Sequence, residues 1–250
     1  MKGIIESLSN SKRYKTGKVI HGILFLVLFF VLAVLLYNPI NRSITNLMIF
    51  ANIISILLYS SFLFYKFKIY KGFLVLLFIT VLWLLFIDGK TIDKEVIRNE
   101  YIESLKRYEG TVYLWGGESI FGIDCSGLVR RGVIDAYFKL GVRNLSPKYI
   151  RKALYLWVFD FSAEAMKEEY RGLTVPIISI ENLNGFDHSM LKEGDIMVTQ
   201  NGIHTMAYIG NNEWIQADPA HRKVIIEKVP SENNNWYKEP AVILRWAYLE

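Results

Sequence analysis

Apolar residues run unbroken through the first third of the chain, then give way to shorter alternating and helical patterns. Val19 to Tyr37 is 19 residues without Asp, Glu, Lys or Arg; Ser43 to Tyr65 is a second such run and Gly72 to Ile87 a third. At 1.5 Å per residue the first two are long enough for the roughly 30 Å hydrocarbon core of a bilayer. The third joins them if Ile69 and Tyr70 extend it and Lys71 snorkels to the interface. Helices of soluble proteins seldom lack charge all the way round. The pattern therefore predicts three transmembrane helices, at about residues 19–37, 44–65 and 69–87, within a membrane anchor over residues 1–90. The basic start would suit a secretory leader. However, no small-x-small cleavage pattern follows the first run and two more spans come next, so it is read as retained.

From residue 91 to 250 the pattern is that of one domain with its own core. Val96, Ile97, Tyr101, Ile102, Leu105 and Tyr108 mark an amphipathic helix ending at Gly110. Thr111 to Trp115 is β-rich and broken by Gly116-Gly117. Leu128, Val129, Val133, Ile134 and Tyr137 then recur at helical spacing, which starts a helix near Asp124 to Ser126 and ends it at Gly141. Ser146-Pro147 opens a further helical region that reaches about Gly172, with Ser146 as cap, proline in the first turn and Ser162 capping a second piece. Its aromatic load (Tyr149, Tyr155, Trp157, Phe159, Phe161, Tyr170) suits core packing, a lid over a site, or a patch leaning on a membrane.

Strands and turns follow from Leu191. Ile196 to Val198 is a strand, Asn201-Gly202 a hairpin turn, and Ile203 to Ile209 its partner; Trp214 to Ala217, Val224 to Val229 and Ala241 to Tyr248 complete an antiparallel sheet. Helices first and strands after predict an α+β fold, with the helices packed on that sheet.

Charge divides along the same boundary. Residues 1–87 carry nine Lys/Arg against one Asp/Glu, a net +8, while residues 88–250 carry 20 against 23, a net −3. The basic surplus flanks hydrophobic runs, so it is topological and no footprint for nucleic acid. Five basic residues precede the first run, Arg42 alone sits in the first loop, and Lys66, Lys68 and Lys71 sit in or beside the second. The positive-inside rule puts the N-terminus in the cytoplasm and, after three crossings, the domain outside it.

The single cysteine, Cys125, excludes an intrachain disulfide and a multi-cysteine zinc site. It sits where an extended segment turns into a helix. Unpaired N–H groups and the helix dipole there favour a thiolate, drawing the pKa from about 8.5 towards neutrality. Cys125 reads either as a nucleophile awaiting a base or as a small buried hydrophobe. Three histidines follow it: His188 in a polar loop, His204 just after the hairpin turn, and His221 after Asp218-Pro219. His204 could point at the cysteine helix, and Gln216, on the neighbouring strand, could accept a hydrogen bond from its imidazole.

Tyr113-Leu114-Trp115-Gly116-Gly117, Asp124-Cys125-Ser126-Gly127-Leu128-Val129, Leu191 to Asp195, His204 and the stretch from Ile209 to Ala217 fall in one order. Together they resemble the NlpC family of bacterial cell-wall cysteine peptidases (the NlpC/p-60 group), a minimal papain-like fold, over about residues 95–248. The resemblance implies Cys125 as nucleophile, His204 as base and Gln216 in the third position, which is most often histidine in that family. It implies Tyr113 and the Cys125 backbone N–H as oxyanion donors, Asp124 and Ser126 as contacts for the stem-peptide amine, and no metal or organic cofactor. Cys125 and His204 are 79 residues apart, more than compact members need, and the helical region 146–172 accounts for the excess as an insertion.

The expectation is a multi-pass membrane protein holding an extracytoplasmic cysteine peptidase of 91–250. Its substrate would be amide bonds in peptidoglycan stem peptides, its surroundings a lipid bilayer, and nucleic acid no partner. The alternatives are a thiol acyl hydrolase or transferase on a lipid or protein, and a catalytically weak wall-peptide-binding module.

Overall fold

The structure, a computed structural model, describes residues 2–40 and 42–250, with side chains from Val19 onward. The side chains of the basic flank Lys2 to Lys18 lie outside the described residues. The chain forms two compact units, Met1–Asn38 with Ile44–Phe78, and Pro39–Ser43 with Ile79–Glu250.

The first unit consists of α1 (Lys2–Tyr37), α2 (Ser43–Phe64) and the start of α3 (Lys68–Phe86). The stretches Val19–Tyr37, Ser43–Phe64 and Lys68–Phe86 are each long and apolar enough to cross a membrane by length and composition. Their outward residues are apolar and bare: Leu26 is 71% exposed and Phe30 69%. Several polar groups in this unit are answered from within it. The Ser60 and Ser61 hydroxyls lie 2.9 and 2.8 Å from the Tyr70 hydroxyl, and Ser55 donates back to the Ala51 carbonyl at 2.8 Å. A helix in hydrocarbon needs that internal satisfaction.

In the second unit, α4 (Lys94–Lys106) begins at Asp93, whose carboxylate accepts from the Glu95 N–H at 2.7 Å. Its apolar stripe of Ile97, Tyr101, Ile102 and Leu105 is buried against α5 (Cys125–Arg143). Then come α6 (Pro147–Val158) and the short α7 (Ala163–Lys167), so the predicted insertion is helical. Ser162 caps α7 by accepting from the Ala165 N–H at 3.2 Å. Ser146 does not cap α6 as expected: its hydroxyl donates instead to the carbonyls of Asp88 and Lys90, at 3.1 and 2.9 Å. Proline at the first helical position leaves fewer N–H groups for a cap to satisfy, which frees the serine for the incoming chain. Most of the insertion's aromatics serve the core, with Tyr149 and Phe161 buried, but Tyr155 remains exposed.

Six antiparallel strands form the sheet: β3 (Thr174–Ile180), β4 (Ile196–Thr199), β5 (Thr205–Gly210), β6 (Glu213–Asp218), β7 (Lys223–Lys228) and β8 (Ala241–Trp246), in the order β3-β8-β4-β5-β6-β7. Sequence reading missed β3. Pro176 argues against a strand, and here it sits at an irregularity on an edge strand, where proline is tolerated. Both faces of the sheet are covered. Ile196, Val198, Ala207 and Leu244 pack under the helices, while Met197, Met206, Trp214 and Ile243 meet Leu183, Val229 and Tyr237 on the other side. Arg245 grips Asp195 with two hydrogen bonds of 2.7 and 2.8 Å, which fixes the turn before β4 to β8.

Candidate active site

A two-stranded hairpin of β1 (Glu118–Ser119) and β2 (Gly122–Ile123) delivers the chain to α5. Asp124 is extended and caps the helix. One carboxylate oxygen accepts from the Gly127 N–H at 2.6 Å and the Ser126 hydroxyl at 3.0 Å, while the other accepts from the Gly116 N–H at 2.8 Å. The carboxylate thus ties the Trp115–Gly117 turn to the first turn of α5. Glycine is required on both sides of that seam. A Cβ on Gly127 would lie 2.2 Å from the Gly117 carbonyl oxygen, and one on Gly117 would lie 2.5 Å from that of Gly122. Trp115, 73% exposed, is pushed to the rim of a cleft of about 420 Å³ that Cys125, Ser126, Arg130, Asp160 and Glu164 help to line.

Cys125 is the first residue of α5 and is buried, its Sγ 3.9 Å from the Ile203 carbonyl oxygen. The N–H groups of Thr205, Ser126 and Cys125 itself bias it towards thiolate. Burial first, and the Asp124 charge second, outweigh them and push the thiol up to about 12. The expectation that the helix terminus would draw Cys125 towards neutrality is therefore corrected: desolvation opposes the charge more strongly than the dipole favours it.

His204 lies in the β4–β5 hairpin, held by its N–H donating to Thr199 Oγ1 at 3.0 Å and its carbonyl accepting from the Thr199 N–H at 3.0 Å. Its Nε2 is 2.7 Å from Gln216 Oε1 on β6. With that oxygen as acceptor, Nε2 carries the proton and Nδ1 keeps its lone pair. Burial pushes His204 down to about 4, against the opposing pulls of Gln216 and Asp218, so the ring is neutral at pH 7. Cys125 meets the backbone on both sides of this histidine, at Ile203 and Thr205. Tyr113 is half-buried, and desolvation followed by the charges of Cys125, Asp124 and Asp218 holds its hydroxyl protonated as a donor.

The other two histidines separate from this grouping. His188 accepts from the Trp214 indole N–H at 3.2 Å and lies 2.9 Å from the Phe186 carbonyl, while His221 contacts Asp218 at 2.8 Å from an exposed turn. Two residues of the site escaped sequence reading. Trp236 stacks on His204 with 4.2 Å between centroids, its only signal being an indole in a run of asparagines. Asp218 is buried two residues beyond Gln216, and its charge reaches both His204 and Tyr113.

Cys125 thus stands at a helix start and His204 in a hairpin of the sheet. The sequence pattern of the NlpC/P60 family matches residues 110–245, more than half the chain, and the protein belongs to that family. Similar solved structures include an NlpC/P60 family protein from Bacillus cereus (20% identity, TM-score 0.38, 61% of this chain and 40% of that one). The P60 domain of an antigen from M. avium subspecies paratuberculosis is another (18%, 0.41, 64% and 99%), and so is the peptidoglycan hydrolase RipB from Mycobacterium tuberculosis (20%, 0.38, 60% and 64%). The chain spans less than two thirds of the B. cereus and RipB chains. No curated protein matches it.

Proposed function

We propose that this protein is a membrane-anchored cysteine peptidase that hydrolyses amide bonds in peptidoglycan stem peptides, with residues 1–90 as anchor and 91–250 as catalytic domain outside the cytoplasm. Family membership supports the substrate class. The observation that carries the chemistry is the 2.7 Å bond from His204 Nε2 to Gln216 Oε1, which leaves Nδ1 free to act as a base for a thiol held beside the Ile203 carbonyl.

In this reading His204 takes the Cys125 proton as sulfur attacks the scissile carbonyl, because the resting pair is neutral rather than a preformed ion pair. Tyr113 and the Cys125 N–H donate to the oxyanion. The imidazolium then protonates the leaving amine, and water activated by His204 releases the acyl group. Gln216 orients the ring without lending it charge, and Asp218 supplies a carboxylate nearby. Asp124 and Ser126 line the cleft where the stem-peptide amine would be held.

The high thiol pKa favours one rival, a wall-peptide-binding module. Digestion of purified muropeptides by the full chain in detergent, wild type beside Cys125→Ala, separates the two. A product made by wild type alone supports the peptidase; tight binding with no product supports the module.

A further inference from the structure

A second hollow, of about 430 Å³, shares no lining residue with the catalytic cleft. Tyr137, Tyr155 and Tyr248 give it aromatic walls, and Lys148, Arg151 and Lys152 of α6 give it three cations. Helix α6 contains no Asp or Glu, in a half of the chain whose net charge is −3. The Lys152 ammonium lies 5.3, 5.6 and 5.3 Å from the ring centroids of Tyr137, Tyr149 and Tyr248. Among the described residues no carboxylate pairs with Lys148 or Lys152. The two repel one another, and burial with that repulsion lowers the pKa of Lys152. An anion is the missing complement.

The position of α6 says where that anion would come from. Arg151 Nη1 donates to the carbonyls of Leu84 and Ile87, at 2.6 and 2.7 Å, and its other nitrogen pairs with Asp88. This closes the last turn of α3, whose residues from Ile79 belong to the same compact unit as α6. The Lys148 N–H and the Ser146 hydroxyl both donate to the Asp88 carbonyl, each at 3.1 Å. The cationic face thus begins where the third apolar helix ends, at the depth of lipid headgroups if that helix spans a bilayer.

We propose that this hollow binds an anionic phospholipid of the surrounding membrane, with its phosphate between Lys148 and Lys152 and the first methylenes of its chains against the tyrosine rings. The proposal rests on the membrane-anchor reading. The test is photocrosslinking of the full chain in nanodiscs, using a diazirine-bearing phosphatidylglycerol and mapping the adducts by mass spectrometry. Adducts are expected on peptides containing Tyr155 and Tyr248. They should fall at least fivefold in Lys148→Gln/Lys152→Gln and persist in Lys148→Arg/Lys152→Arg. Unlabelled phosphatidylglycerol should compete; phosphatidylcholine and free glycerol phosphate should not. Equal labelling by a phosphatidylcholine probe, or competition by free glycerol phosphate, would overturn the lipid site while leaving the anchor intact. Release of the chain by carbonate washing would overturn both.

Discussion

Two hollows of similar volume meet the helical region 146–172 and differ in the charges it lends them. The cleft beside Cys125 takes Asp160 and Glu164 from the stretch after α6; the hollow on α6 takes three cations and three tyrosines. A segment of some 27 residues thus lends carboxylates to one hollow and cations to the other. Arg130 links them: it lines the cleft, lies 3.3 Å from Glu118 and pairs with Asp160, and it donates at 2.9 Å to the carbonyl of Leu156, which lines the second hollow. The comparison teaches that one helical segment need not serve a single purpose: it can wall the cleft beside Cys125 while presenting a separate face elsewhere.

The largest expected effect confines chemistry to one hollow. Cys125→Ala should lower muropeptide turnover by roughly 10⁴-fold or more while lipid crosslinking stays unchanged; parallel loss of crosslinking would merge the two sites. Next, Arg130→Met should strip both walls of their shared support. Removing the Arg130 charge from beside buried Glu118 should destabilise the domain by about 3–5 kcal/mol, read as a lowered melting temperature in detergent, with turnover and crosslinking falling together. A variant that loses only one would show that the hollows are supported separately.

Acidity should act third. Because His204 is held near 4 in the fold and near 6.5 when unfolded, the unfolded chain binds the extra proton first. Its contribution to stability is complete above about pH 6.5 and is lost as pH falls towards about 4, by up to about 3 kcal/mol. Melting temperatures across that range should decline in wild type and decline less in His204→Gln. The smallest effect should come from Gln216→Ala, which removes the ring's orienting acceptor but no charge: a fall in kcat of about 10–100-fold with KM little changed. Gln216→His should recover part of it.

Much of this was legible in the sequence because it depends on local pattern. The three apolar runs fall within α1 to α3, and Asn201-Gly202 with the flanking apolar residues announces the β4–β5 hairpin that positions His204. The limits of the helical region follow from Ser146-Pro147 and Gly172. What escaped depends on distant partners. Strand β3 exists because β8 offers it an edge, a pairing Pro176 disguises. Trp236 reaches His204 from a loop 32 residues away, a contact no spacing rule predicts. The state of the Cys125 thiol was misjudged for the same reason: a helix start is visible in a window of residues, whereas burial is a property of the whole fold.

The passage from α3 to the domain leaves little slack. Between Phe86 and Asp93 the carbonyls of Ile87, Asp88, Lys90 and Ile92 are all held, by Ser146 or by α6 side chains or backbone. Ile79 to Phe86 belong to the same compact unit as α6, so this joint is part of the domain's own fold rather than a tether. A flexible segment inserted between Ile87 and Ile92 would therefore be expected to unseat α6 and lower the melting temperature of the domain.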